Sequence, residues 1–131
     1  MDTINVLAIV GSLRQESFNL KLAKAASKLA PDDLEIEIYV PSELPLFSQD
    51  LEKDLPTEVK EYKEKIEVAD AILFVSPEQN HTLSAVIKNA IEWGNRPWGK
   101  NSFFNKPGGV IGASSSNFAT VRMQNHMRQV F

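Results

Sequence analysis

The chain has 131 residues, 43% of them hydrophobic and 24% charged, with a formal net charge of −3 and no cysteine. This length suits one domain with its own core, and so small a charge gives no reason to expect a nucleic-acid or membrane-surface partner. Without cysteine there is no disulfide framework, no thiolate metal site and no cysteine nucleophile.

The N-terminus, MDTINVLAIVGS, carries an acid where a signal peptide needs basic residues. No run approaches the roughly 20 apolar residues of a spanning helix, so a cytosolic protein is expected. Residues Ile4–Val10 form a nearly continuous apolar run ending at Gly11, the pattern of a strand buried on both faces. Phe18, Leu22, Ala26 and Leu29 then mark one face of a helix, which Pro31-Asp32-Asp33 closes. Residues Leu34–Val40 alternate apolar and polar, as a half-exposed strand at a sheet edge does. Three prolines make 41–56 a loop. Thr57 is the expected N-cap of a second helix with Val59, Tyr62, Ile66 and Ala69 on its apolar face. Its charged residues, from Glu58 to Glu67 and including Lys63, are expected to face solvent, with Glu61–Lys65 as an i,i+4 pair.

Ala71–Val75 is a third, continuously apolar strand. Val86, Ile87, Ala90 and Ile91 stripe a third helix. Residues 108–113, GGVIGA, form a fourth strand. A last helix starts near Ala119, with Met123, Met127 and Val130 on one side. Strand and helix alternate throughout, which calls for a parallel sheet covered on both faces. Ligands of such sheets bind beyond the carboxyl ends of the strands. The segments found there are GSLRQESFN (11–19), SPEQNHT (76–82) and GASSSNF (112–118), all rich in hydroxyls and amides.

The first of these leads into a helix N-terminus, where unpaired N–H groups and the helix dipole favour an anion. Ser12, Ser17 and Asn19 add short donors, and Arg14 adds a charge that can fork onto phosphate oxygens. A phosphate monoester would suit it; an N-capped turn with a surface arginine reads equally well from this loop alone. The spacing is neither G-x-G-x-x-G nor that of a P-loop. His81 and His126 lack a second histidine or acid at metal spacing, so no metal site is expected. Trp93 and Trp98 are expected in the core or at a subunit contact, and Arg122 and Arg128 in solvent or at an oligomer interface. Ser114, Ser115 and Ser116 have no histidine and acid arranged with them.

In combination, GSLRQESFN, then SPEQNHTLSAVIKNAIEW, then KPGGVIGAS resemble the NADPH-dependent FMN reductase family of flavodoxin-like proteins, most of all the branch of bacterial chromate and quinone reductases. The family patterns are roughly G-S-x-R-x-x-S-x-N, P-E-Y-N-x-S-x-x-x-x-L-K-N-A-I-D-W and K-P-x-x-x-I-G-A-S. The resemblance implies an α/β fold, a doubly wound parallel sheet in three α/β/α layers. It implies bound FMN, with NADPH or NADH as co-substrate. Phosphate contacts fall on Ser12, Leu13 (through its backbone), Arg14, Ser17 and Asn19. Ring and ribityl contacts fall on Pro77, Glu78, Gln79 and Asn80, with Ser114 on the ring side. No catalytic side chain is implied, because the flavin carries the chemistry. The implied activity passes hydride from NAD(P)H through FMN to a quinone, flavin, azo or chromate-type small-molecule acceptor. Homodimers or homotetramers are implied as well.

The departures are specific. Gln79 stands where the family has tyrosine, Ser84-Ala85 where it has Pro-Gly, and Ser115-Ser116 where Pro-Gly is common. Family members continue past the end of this sequence with a fifth strand and a last helix, so residues 1–131 are expected to be one domain, C-terminally truncated. The alternative is a flavodoxin-like electron carrier that does not oxidise NAD(P)H. Carriers of that kind have a threonine-rich first loop and a strongly acidic surface, unlike this chain. A phosphoacceptor receiver domain is excluded, because Val10-Gly11 and Ser76-Pro77 stand where its acids would be.

Overall fold

The computed structural model describes residues 2–131. Four parallel strands form the sheet: β1 (Ile4–Val10), β2 (Leu34–Tyr39), β3 (Ala71–Val75) and β6 (Gly108–Ile111), in the order β2-β1-β3-β6. Between β3 and α3 lies an antiparallel hairpin of two short strands, β4 (Glu78–Gln79) and β5 (Thr82–Leu83). The helices are α1 (Phe18–Leu29), α2 (Thr57–Val68), α3 (Ala85–Asn95) and α4 (Val121–Val130), with a 3₁₀ turn at Gln49–Lys53. This is the expected flavodoxin-like α/β arrangement. Among the described residues no helix is long and apolar enough to cross a membrane.

The two central strands explain the layering. Their continuous apolar runs feed both faces of the sheet. Leu7, Ile9, Ile72 and Phe74 pack with Val59, Tyr62 and Ile66 of α2, Ile87, Ala90 and Trp93 of α3, and Met123 and Met127 of α4. Ala8, Val10 and Val75 face the other way, toward Ala23, Leu20 and Leu22 of α1. The alternating β2 is an edge strand, as its pattern predicts. Polar ties lock the larger layer. The Tyr62 hydroxyl donates to Ala90 O at 2.9 Å, and Trp93 Nε1 donates to Pro45 O at 2.7 Å. Asn89 bonds Pro45 O and Phe47 N, holding the proline-rich loop against α3.

Several expectations need correction. Thr57 is the first helical residue; Pro56 stands at the N-cap and no side chain caps α2. The buried residues of α1 are Asn19 and Ala23, whereas Phe18 is 49% and Leu29 81% exposed. The stripe is rotated because a polar residue, Asn19, occupies an inward position. Lys63 is buried rather than solvated, and its Nζ donates to Gly94 O (3.1 Å) and Lys100 O (2.8 Å), closing the C-terminal end of α3. Burial lowers its pKa from the ordinary value. Lys65 pairs with Glu37 of β2, not with Glu61. Of the two tryptophans, Trp93 is fully buried and Trp98 is 89% exposed.

Candidate functional site

Strands β1, β3 and β6 end together. Gly11 N donates to Val75 O at 2.8 Å, and Ser76 N donates to Ile111 O at 3.2 Å. Ser76 is fully buried at this junction. A Cβ on Gly11 would lie 2.5 Å from Ser76 Oγ, and one on Gly112 would lie 2.5 Å from both Ser76 O and Thr120 Oγ1. Both glycines are therefore required by close approach. Ser84, the N-cap of α3, accepts from Ile87 N and donates to Gly11 O at 2.6 Å, pinning the first loop to the third helix.

The three loops that leave this junction surround one shallow cavity of about 180 Å³. Ser12, Arg14, Ser17, Asn19, Pro77, Glu78, Gln79 and Ser114 line it, as do Phe18, Ala113 and Ser115. Of the ten residues implied by the resemblance, eight are thus brought together. Leu13, 52% exposed, and Asn80, at the hairpin turn, are not among the lining residues. Larger grooves lie elsewhere, one of about 750 Å³ beside Lys63, Lys100 and Lys106. There Lys63 and Lys106 already donate to main-chain carbonyls, so that groove is a packing seam.

In the first loop, Ser17 is the N-cap of α1, 3% exposed, and its Oγ accepts from Asn19 N and Leu20 N. Its hydroxyl hydrogen is left to donate. Ser17 N reaches Arg14 O, which leaves the Phe18 N–H as the open donor of the first turn. Ser12 Oγ accepts from Arg14 N at 3.3 Å. The Arg14 guanidinium lies 5.8 Å from the centroid of the Phe18 ring. No acid pairs with Arg14 among the described residues. Asn19 behaves differently: Nδ2 donates to Ala113 O at 3.2 Å and Oδ1 accepts from Ala113 N at 2.9 Å. The side chain joins the first loop to the third.

The second loop is the β4–β5 hairpin. Asn80 (φ 47°) and His81 (φ 68°) are both left-handed, as a two-residue type I′ turn requires. Glu78 turns its carboxylate away along α4. Oε1 accepts from Arg122 N (2.8 Å) and Met123 N (2.9 Å), and Oε2 lies 3.2 Å from Arg122 Nη1. The Met123 N–H above all, helped by Arg122, holds this carboxyl below its ordinary value. Thr82 Oγ1 bonds His126 Nδ1 one turn further along α4. In the third loop, Ser114 Oγ bonds Ser116 N and Oγ, both at 3.1 Å. The Arg122 guanidinium covers the exposed Phe118 ring at 4.8 Å.

Sequence reasoning missed Phe18, Ala113, Ser115 and the part played by Arg122. Phe18 looks like a core position in sequence, and nothing near Glu78 points to a helix 44 residues away. The cavity offers an unpaired arginine, free hydroxyl hydrogens on Ser12 and Ser17, and one open helix N–H at one end. Pro77, Glu78 and Gln79 border it as well. Those donors fit a phosphate ester.

The comparisons agree with that donor set. A family model described as NADPH-dependent FMN reductase matches residues 4–131. The chain is 41% identical over 127 residues to a 2-hydroxy-1,4-benzoquinone reductase of a Burkholderia species, spanning 97% of this chain and 69% of that protein. It is 40% identical to a quinone reductase of Pseudomonas putida, spanning 95% of this chain and 68% of the relative. Among solved structures it is similar to FerB, a flavoenzyme NAD(P)H:(acceptor) oxidoreductase from Paracoccus denitrificans. The TM-score is 0.92 at 39% identity, covering 97% of this chain and 70% of that one.

Proposed function

The chain belongs to the NADPH-dependent FMN reductase family, and from that premise we propose that it is an FMN-dependent NAD(P)H oxidoreductase acting on quinone-type acceptors. The observation that carries the reading is the cavity where three strand-exit loops meet, with a free arginine and helix N-terminus at one end. Arg14, the Ser12 and Ser17 hydroxyls and the Phe18 N–H would hold the FMN phosphate. Main-chain groups of Pro77, Glu78, Gln79 and Asn80 would meet the heteroatoms of the ring, with Ser114 on its other side and Leu13 contributing its backbone. Gly11 and Gly112 leave the space that Ser76 and Thr120 fill, which lets the loops leave the junction close together. When bound, FMN supplies the two-electron chemistry, taking hydride from NADPH or NADH and passing electrons to the acceptor. The protein binds and orients; no side chain is assigned a proton transfer, and Glu78, the acid in the cavity wall, is committed to α4.

Quinones come first among the acceptors because two similar proteins carry that activity in their names. Free flavin, azo compounds and chromate are further candidates for the same reduced cofactor. Residues 1–131 act as one FMN-binding domain in this reading. A cytosolic setting, where NAD(P)H is regenerated, and a homodimer or homotetramer go with it; the exposed Trp98 is a side chain that a second copy would cover. The test is an absorption spectrum after incubation with FMN and desalting, then anaerobic NADPH. A retained flavin band that bleaches supports the reductase. A retained band that does not bleach makes the chain an electron carrier, and no retained band removes the cofactor assignment.

A further inference from the structure

Glu78 lines the cavity, yet its carboxylate gives its lone pairs to a helix. Helix α4 has no cap of its own: Thr120, at its N-cap position, makes no capping bond, and the first turn has no acid. Thr120 Oγ1 instead accepts from Gln124 Nε2. Glu78 supplies the missing acceptor from 44 residues away, taking the N–H groups of Arg122 and Met123 on Oε1 and the Arg122 side chain on Oε2. An anion at a helix N-terminus with charge-assisted bonds is a strong tie, and this side chain is only 10% exposed.

The same helix fixes one end of the third loop. Its other end is held by Asn19 on Ala113. Ser114 to Phe118 are thus suspended between two polar staples, one from the first loop and one from the hairpin. Thr82 on His126 repeats the hairpin-to-α4 tie one turn along. Buried Met123 and Met127 anchor the helix beneath. A carboxylate so placed cannot also accept from a flavin ring at full strength.

We infer that Glu78 is a positioning residue, a strut that sets the spacing between the hairpin and the loop after β6 and so shapes the ring end of the FMN site. The inference rests on the FMN reading of the cavity. Through Arg122 the same strut also orients Phe118 at the edge of the third loop. The aromatic neighbour lost with Gln79 in the hairpin has no replacement there; Phe118 is the exposed aromatic that Glu78 controls.

The test measures FMN and riboflavin dissociation constants by flavin-fluorescence quenching for the wild type, Glu78→Gln, Arg122→Met and the double variant. Hydrogen–deuterium exchange of the Arg122 and Met123 amides is followed in the flavin-free proteins. Glutamine keeps a neutral acceptor, so the fold is retained, which circular dichroism checks. The strut predicts that Glu78→Gln weakens FMN and riboflavin alike, on the order of tenfold for the loss of charge-assisted bonds. The double variant should be no weaker than Glu78→Gln, because both groups act through one contact. Amide protection at the start of α4 should fall without any flavin present. Wild-type affinity in Glu78→Gln, a loss confined to FMN, multiplying single effects, or unchanged α4 protection would each overturn it. Should Glu78→Gln fail to fold, Arg122→Met carries the test by the flavin criterion, since it removes the bond to Oε2 and leaves the amide bonds to Oε1: equal weakening of FMN and riboflavin supports the strut, and wild-type affinity overturns it. A wild-type protein that binds no flavin overturns the FMN reading itself, a result distinct from all of these.

Discussion

Replacing Asn19 with alanine separates two roles that the first loop's motif leaves merged. If the side chain is a phosphate ligand, the flavin-free protein has little to lose. The structure gives it a connecting role instead. Asn19 is 3% exposed and exchanges two hydrogen bonds with the main chain of Ala113. Each such bond contributes about 1 kcal/mol net, and stranding the partner costs more than the bond contributed. Ala113 is half-buried, so water recovers part of the loss. The expected destabilisation is about 2 kcal/mol. For 131 residues the unfolding entropy is about 0.28 kcal/mol/K, so the melting temperature should drop by about 7 °C. Scanning calorimetry on flavin-free protein reads this directly, and flavin titrations complete the assay. Asn19→Ala should weaken FMN and riboflavin to a similar degree, because the loop that moves borders the proposed ring end of the site. Asn19→Asp should be no more stable than the alanine variant, since a carboxylate cannot donate to Ala113 O. Unchanged melting with a loss of FMN binding alone would refute the staple and restore the phosphate role.

Arg14→Ala should show the opposite pattern, weakening FMN by about tenfold or more while sparing riboflavin, with a flatter salt dependence; equal losses for both ligands would remove Arg14 from the phosphate site. Gly112→Ala places a Cβ 2.5 Å from a main-chain oxygen and should cost about 1–3 kcal/mol in denaturant unfolding, whereas wild-type stability would show that the junction can relax. The carboxyl of Glu78 lies below its ordinary value of 4.5, because of the Met123 N–H first and Arg122 next. A depressed folded-state pKa means stability that is complete above 4.5 and is lost as pH falls below that, through the folded value. Melting temperatures between about pH 3 and 6 should therefore fall more steeply for wild type than for Glu78→Gln; Arg122 and, through Thr82, His126 are the charged or titratable neighbours on α4. Parallel curves would show that this carboxyl does not carry the acid limb.

The strands and the three loops are legible in the sequence for a physical reason. Strands β1 and β3 are buried on both faces, so their signal is composition alone, and the loops around the cavity are short segments that follow the strands directly. The inward face of α1 escapes such a reading because periodicity counts apolar residues. It cannot recognise an asparagine that is buried because two main-chain bonds satisfy it, nor a phenylalanine set at the mouth of a cavity. The hairpin is too short for alternation to register, although the turn needs left-handed residues and Asn80 tolerates that conformation. Lys63 and Glu78 look like local charges in sequence. Their partners are 31 to 45 residues distant, and only the folded chain brings them together.

The Ser76 junction divides the molecule into parts that can and cannot vary. Gly11 and Gly112 each abut Ser76, so a change at Ser76 is felt in all three strands. Gln79, Ser115 and Ser116 are exposed and face no such constraint. Ser84 shows the intermediate case: a residue that departs from the family pattern has become a connector, bonding Gly11 O. A library built at 79, 115 and 116 would therefore vary the second and third loops with the frame held constant, and the departures already present at these positions are natural members of such a library.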